Sequence, residues 1–483
     1  MGTPRKAAPI TRRTALKGIA AGTAVTGVAA SGVEIVTAEE NRTVDVIVVG
    51  AGAAGTMAAT HFVKAGKTVA LLEANNRIGG RLKRGKIAGQ DIDLGGQWVG
   101  PTQDRLIEVA NDLGLNTYRT YMEGDMLVDI AGSIYKGLAL PPDVIGDYLK
   151  TVARINELAN EIDPAQPWNA PNVEEWDSIS MKSWAMQTAE TDHVRDLLRV
   201  VVEVVLCVPP EQVSLLQFLW YIKSGQGYQK VTDAAGGAQQ DLYEECLVSV
   251  PERLAQALGD RVILDAPVQA ITQDDSQVTA ITAKGSWTAK RLVMAAPPAT
   301  AARIDYSPVL PYKRRGLMDR SPMGAVIKCF IAYEKPFWRE AGLNGQSISS
   351  RSKFASTFDI TAPGNEHGIL CGFFDGGPAM EWADKSPAER EAKAIADIAH
   401  VLGEQANSPI EYVEQNWPRE RWSIGGYACV PGPGVTSVFG DAIRQPCGRI
   451  HWAGTETADV WAGYVDGALR SGDRVANEVL AVL

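Results

Sequence analysis

The order of apolar and polar positions defines a small set of elements before any residue is read for chemistry. Residues 45–49, Asp-Val-Ile-Val-Val, are a short β-branched run of the kind that makes a strand buried on both faces. The run ends in Gly50-Ala51-Gly52-Ala53-Ala54-Gly55, and residues 56–63 then carry a helical pattern closed by Gly66. Residues 68–72 form a second apolar run and deliver Glu73, 23 positions after Gly50. Farther along, residues 260–271 and 292–298 predict strands, the latter stopped by Pro297-Pro298, and helical periodicity returns over 148–162 and 192–207. Residues 323–333 alternate as a strand with apolar residues on both faces and Lys328 as their one charge. There is no internal repeat.

Strand, glycine turn, helix, strand and acid, in that order, predict an α/β fold that binds a dinucleotide. Gly50 permits the tight turn, Gly52 lets the backbone approach a pyrophosphate, and Gly55 lets helix and strand pack closely. The helix N-terminus offers unpaired N–H groups and partial positive charge, and Glu73 can accept from ribose hydroxyls.

Composition narrows the rest. At roughly 100–200 residues per domain, 483 residues make two to four folding units. With 45% hydrophobic and 22% charged residues the chain is neither disordered nor a disulfide-framed miniprotein. A net charge of −10 argues against nucleic acid, because no basic surplus exists to replace phosphate counterions. Six cysteines never form CxxC and five histidines are dispersed, so no metal site is expected.

Two stretches carry a stronger resemblance. Residues 71–81 read Leu-Leu-Glu-Ala-Asn-Asn-Arg-Ile-Gly-Gly-Arg, and Asp93-Leu94-Gly95-Gly96-Gln97-Trp98-Val99-Gly100 follows. Near the end come Gly448-Arg449-Ile450-His451-Trp452-Ala453-Gly454-Thr455-Glu456-Thr457-Ala458 and Trp461-Ala462-Gly463-Tyr464-Val465-Asp466-Gly467-Ala468. This pattern resembles the flavin-containing amine oxidase family, whose members are monoamine oxidase-like. The resemblance spans nearly the whole chain from Val44 onward. It implies FAD as cofactor, held by Gly50, Gly52, Ala53, Ala54, Gly55, Glu73, Ala74, Gly80, Arg81, Gly96, Gln97, Trp98, Val268, Glu456 and Val465. In relatives the main chain at the position of Val268 meets the adenine, and Glu456 meets the ribityl or pyrophosphate region. Arg81 could otherwise be a surface residue, and Glu456 a turn acid.

The implied architecture is a Rossmann-like FAD-binding domain with a discontinuous mixed-sheet and helical substrate domain. Residues 42–115, 235–310 and 425–483 belong to the first, and 116–234 and 311–424 to the second. One departure stands at Glu244-Glu245-Cys246-Leu247, where many relatives place a Gly-Gly pair.

Leaving Lys328 charged in an apolar strand costs several kcal/mol unless it is paired or deprotonated, so either it serves the chemistry or it snorkels to solvent at a strand end. The resemblance implies the former, with the lysine holding a water near flavin N5. On that reading Lys328→Met is expected to disturb the fold little. Tyr464 and Trp417 resemble residues that line the family's aromatic cage, and Tyr427 is expected as the opposing wall, unless it is merely core. Monoamine oxidases place a flavin-linked cysteine and then a tyrosine after a Gly pair, whereas here Gly425-Gly426 is followed by Tyr427-Ala428, with Cys429 two positions late. FAD is therefore expected to be noncovalent.

The implied reaction is oxidation of an amine C–N bond to an imine that hydrolyses to a carbonyl and a released amine. Oxygen, giving hydrogen peroxide, or a cytochrome is the acceptor, and arylalkyl, aliphatic and alkaloid-type secondary amines are all open as substrates. A homodimer is also open. An amino-acid oxidase or desaturase on the same fold is the rival; it needs an arginine to clamp a carboxylate, and no motif places one in the substrate segments. A non-catalytic FAD-binding module is the rival of another class.

The first forty residues differ from the rest. A basic stretch with Arg12-Arg13 precedes a mild apolar run over 18–32, too short and too weakly apolar for the about 20 residues of a membrane span. Val36-Thr37-Ala38 then offers small residues to a peptidase. Residues 1–38 resemble a twin-arginine export signal, which implies a periplasmic or secreted protein; a disordered tail or an uncleaved anchor is the plainer alternative. Replacing Arg12-Arg13 by Lys-Lys is expected to block export. Cell fractionation checks this, and equal export of the variant refutes the twin-arginine reading.

Overall fold

The structure, a computed structural model, describes residues 41–137 and 139–483, so the export segment assigned to residues 1–38 lies outside the described residues. Asn41–Val49 runs between Val69–Leu72 and Gly285–Met294, parallel to both, with Val49 level with Leu72 and Met294. Val262–Ile263 continues the sheet past Val69–Leu72, and Ile450–Trp452 pairs with the end of Gly285–Met294. Strands from near both ends of the described chain thus meet in one sheet. Val278–Thr282, Ala270–Gln273 and Asp305–Ser307 complete its eight strands.

The apolar run is continuous because both of its faces are covered. Val46 and Val48 pack with Ala58 and Phe62 of the helix Ala53–Lys64 and with Val475 and Val479 of the helix Val465–Leu480. Ile47 and Val49 face the other way, toward Ile271, Trp287 and Trp452. The two helices approach closely at Gly472, where an added Cβ would lie 2.6 Å from the carbonyl oxygen of Ala54.

A second sheet has seven strands in the order Glu411–Asn416, Val326–Tyr333, Gly368–Asp375, Ser356–Asp359, Leu343–Ser349, Asp125–Ile130, Ser133–Lys136. Its pairs are antiparallel except that of Leu343–Ser349 with Asp125–Ile130. All of Val326–Tyr333 is buried. The strand starts later than the alternation over 323–333 suggested, because Gly324 and Ala325 turn their N–H groups to the carbonyls of Ala428 and Cys207. The helices Pro142–Asn160, Asp192–Leu206 and Leu215–Ser224 share a core that includes Ile155, Val201 and Phe218. No helix among the described residues is long and apolar enough to cross a membrane, and no cluster among them could hold a metal ion.

The Glu244 to Leu247 departure has a physical solution. Cys246 takes the left-handed φ of +66° that a glycine would adopt more easily. The Asp93 carboxylate then accepts from the N–H of Leu247 at 2.7 Å and of Val248 at 3.4 Å, at the start of the helix Ser249–Leu258. A buried carboxylate organises the turn where glycines stand in relatives.

Gly55 is fixed by contact rather than by dihedral angle: a Cβ there would lie 1.9 Å from the carbonyl oxygen of Gly50. Gly66 has a φ of +73° but open space around it. Gly55→Ala is expected to destabilise by about 3 kcal/mol or more through forced separation of strand and helix. Gly66→Ala should lose only about 1–2 kcal/mol, the left-handed penalty. Urea unfolding of both variants checks the contrast.

Candidate active site

The turn after the first strand is built as a cradle. Gly50, at φ +102°, donates its N–H to the carbonyl of Leu72, and the N–H of Ala51 reaches Glu73 Oε2 at 2.7 Å. Glu73 Oε1 accepts from Asn75 N–H at 2.8 Å. Burial pushes the Glu73 carboxyl up, and these N–H donors with the neighbouring Ala74 N–H pull it back. Beyond the turn, the N–H groups of Gly52, Ala53, Ala54 and Gly55 find no acceptor among the described residues. A Cβ on Gly52 would meet nothing nearer than Gly79 O at 3.8 Å, so no protein group fills the space in front of this helix end. Gly80 lies against Gly52.

The other predicted cofactor residues adjoin this cradle. Ala266 and Asp265 hydrogen-bond to the carbonyls of Glu73 and Asn75, which brings Val268 alongside with its own N–H and C=O unpaired. Arg81 pairs with Glu456 at 2.6 Å and also donates to the Tyr427 carbonyl at 2.7 Å. Burial pushes the Glu456 carboxyl up, but Arg81 and the Cys429 N–H outweigh it and hold it below the usual carboxylate range. Gly96 faces Val465, the first residue of the last helix, whose opening N–H groups are likewise unpaired. Trp98 packs edge-on to Phe358 with ring centroids 4.9 Å apart, and its indole N–H has no acceptor. Two helix N-termini, an acid for ribose, an unpaired main-chain edge and an open glycine cradle suit FAD.

Lys328, only 2% exposed, sits under this assembly. Its Nζ donates to Asp93 O at 2.6 Å, Gly95 O at 2.7 Å and Gln97 Oε1 at 2.7 Å. It is not snorkelling. Burial lowers its pKa, with Asp93 among the groups that oppose the shift. All three ammonium protons are engaged, so a water at Nζ must displace one of these oxygens. Trp417 is also fully inside and gives its indole N–H to the Leu94 carbonyl at 3.0 Å, so it steadies the Gly95-Gly96 turn from behind.

The aromatic residues divide between two neighbouring places. Tyr427 walls an apolar cavity, partly open to solvent, together with Ala428, Cys429, Glu456, Leu206, Trp220 and Tyr221. Tyr464 stacks on Tyr221 at 5.9 Å and meets Trp461 edge-on at 4.7 Å. Burial pushes the Tyr464 phenol up to about 12, and pushes Tyr427 and Tyr221 up as well, so all three stay neutral at physiological pH. Tyr427 has Asp375 and Cys207 behind it. Asp375 is 1% exposed, and its Oδ2 has no partner.

Sequence reasoning missed Tyr221, Gln217, Asp375 and Arg444. Gln217, Trp220 and Tyr221 fall at i, i+3 and i+4 of Leu215–Ser224, a periodicity that could have marked them as one face. Arg444 lines the cavity from a segment assigned to the cofactor. It lies outside the segments assigned to the substrate domain, in which no motif places an arginine, so one cavity-lining cation comes from the C-terminal stretch.

A mixed sheet whose parallel strands end in a glycine cradle, with a second helix N-terminus beside it and an aromatic-walled cavity adjoining, defines a dinucleotide-dependent oxidoreductase. Residues 53–480 match the family described as "Flavin containing amine oxidoreductase", and the chain belongs to that family, whose cofactor is FAD. It is 36% identical over 443 residues to the "Probable flavin-containing monoamine oxidase A" of Dictyostelium discoideum, covering 90% of this chain and 97% of that one. It is 35% identical over 457 residues to the "L-amino acid dehydrogenase" of Synechocystis sp., covering 91% and 95%. Cyclohexylamine oxidase from Brevibacterium oxydans IH-35A superposes with a TM-score of 0.87 at 34% identity, covering 91% of this chain and 99% of that one.

Lys328→Met would strand three buried acceptors, which corrects the expectation of a quiet substitution. Stability is expected to fall by about 2 kcal/mol or more, with faster FAD loss because the freed segment includes Gly96 and Gln97. Thermal unfolding and the rise of free-flavin fluorescence measure both.

Proposed function

We propose that the protein oxidises an amine at the carbon bearing its nitrogen, and that water then hydrolyses the imine to a carbonyl compound and a released amine. FAD, when bound, supplies the hydride acceptor. The residues supply position, a dry site and the right protonation state. The observation that carries this reading is the cavity wall itself. Among the described lining residues Glu456 is the one carboxylate, and it is held by Arg81; the lining tyrosines are neutral. Such a wall offers no free base to a reacting group, which suits transfer from a neutral amine. It also favours that amine over its ammonium form, since a charge entering an apolar wall loses its hydration. Tyr427 and Tyr221 present uncharged aromatic surface for aligning the amine.

Molecular oxygen as acceptor, yielding hydrogen peroxide, and action outside the cytoplasm after export belong to the same reading; a cytochrome is the alternative acceptor. Noncovalent FAD does too. Cys429, the cysteine at the cavity, is buried, has its Sγ 3.2 Å from Met323 Sδ, and has its thiol pKa raised by burial.

The purified protein is expected to be yellow, to release FAD into the supernatant on acid precipitation, and to form peroxide with at least one member of an amine panel. Flavin that stays with the precipitated chain would overturn noncovalent binding. Bound FAD that no amine or amino acid reduces under anaerobic conditions would overturn the enzymatic reading in favour of a binding module.

A further inference from the structure

Arg444 is the one cation among the described residues lining the cavity. Two bonds fix its guanidinium: Nε donates to Thr457 O at 2.7 Å and Nη1 to Ala165 O at 3.1 Å. Among the described residues Nη2 has no acceptor and no carboxylate lies within ion-pair distance; Asp459, Glu478 and Asp163 act on it only from farther away, against Arg474. Ala165 ties this arginine to the helix Leu215–Ser224, because the adjacent carbonyl, that of Pro164, accepts the Trp220 indole N–H at 3.0 Å. One turn back on that helix, Gln217 is 4% exposed and also lines the cavity. Its Oε1 accepts from the Thr436 hydroxyl at 3.1 Å, and its Nε2 has no acceptor among the described residues. Two donors of different kinds, a guanidinium edge and an amide, thus stand unanswered in an otherwise apolar wall.

We propose that Arg444 and Gln217 form a carboxylate-recognition subsite, so that the preferred amine carries a carboxylate and an apolar side group, as an amino acid or a close amino carboxylate does. The proposal rests on the amine-oxidising reading of the same cavity. A planar guanidinium held at Nε and Nη1 presents its remaining N–H bonds in a fixed direction, which is the geometry that recognises a carboxylate. A simple amine would leave that edge to water alone, whereas an amino carboxylate would answer it directly while Trp168, Val205 and Leu206 receive the side group. The carboxylate takes no part in the reaction. The phosphates of FAD are the other anions at hand, but the two unpaired helix N-termini already suit them.

The test compares L-phenylalanine with 2-phenylethylamine, a pair that differs by a carboxylate, in the holoenzyme and in Arg444→Met and Arg444→Lys. The wild type should favour phenylalanine in kcat/KM by about 10- to 100-fold, the usual range for a charged hydrogen bond. Arg444→Met should collapse that ratio, mostly through KM, and Arg444→Lys should restore part of it. Independently, 3-phenylpropionate, which has the carboxylate and no amine, should perturb the flavin absorbance of the wild type and bind far more weakly to Arg444→Met. A wild-type preference for phenylethylamine, or a ratio unmoved in Arg444→Met, would overturn the subsite. Loss of FAD from Arg444→Met with an unmoved phenylpropionate affinity in the flavin-reconstituted variant would also overturn it and assign the arginine to the cofactor. If neither substrate reduces the flavin while phenylpropionate still binds through Arg444, the subsite stands and the amine-oxidising reading falls.

Discussion

A single ammonium group sets the spacing of this molecule. Lys328 projects from a strand whose every residue is buried, and an amine there must find oxygen or give up its charge. It finds three, all between Asp93 and Gln97. The second sheet is thereby tied to the loop that carries Gly95 and Gly96, and Trp417 adds a further bond from the same side to Leu94. Apolar packing alone would allow sheet and loop to slide; three short bonds from one nitrogen do not. The cradle and the cavity keep their relation because this contact admits one arrangement.

The neighbouring charges follow the same logic with another outcome. Arg81 and Glu456 are both largely inside, and each keeps its charge because the other is 2.6 Å away. Asp375, behind Tyr427, has no cation, and burial drives its carboxyl toward the neutral form. The cavity thus borders one compensated ion pair and one silent acid. A carboxylate ionised at Asp375 would project negative potential through the Tyr427 ring and invite ammonium, the form of an amine with no lone pair to release.

What was legible in the sequence was local or anomalous. The turn from Gly50 to Gly55 and the acid at Glu73 are encoded within two dozen residues, and their spacing follows from sterics that any such turn must obey. Lys328 could be singled out because a charge in an apolar strand is anomalous wherever it occurs. Its partners could not be read, since they lie more than 230 positions away and two of them are main-chain oxygens without a side-chain signature. Arg444 escaped for a different reason. Contiguity in sequence suggested that residues after 424 serve the cofactor, but a chain that passes repeatedly between two sheets lets one segment face both sites. The left-handed Cys246 likewise has no sequence signal, because Asp93 supplies its compensation from far upstream.

The pairing of Ile450–Trp452 with Gly285–Met294, beside the strand that opens the fold, has a consequence in time. The first half of the cradle is translated early, but the sheet beneath it lacks a strand until Ile450–Trp452 is made, and the second helix N-terminus is absent until Val465 follows. At about 5–20 residues per second, some tens of seconds separate these events on the ribosome. For that interval the nascent chain holds a recognisable dinucleotide turn that cannot yet close around its ligand. Cofactor capture therefore waits until the strand Ile450–Trp452 and the opening turn of the helix Val465–Leu480 are in place.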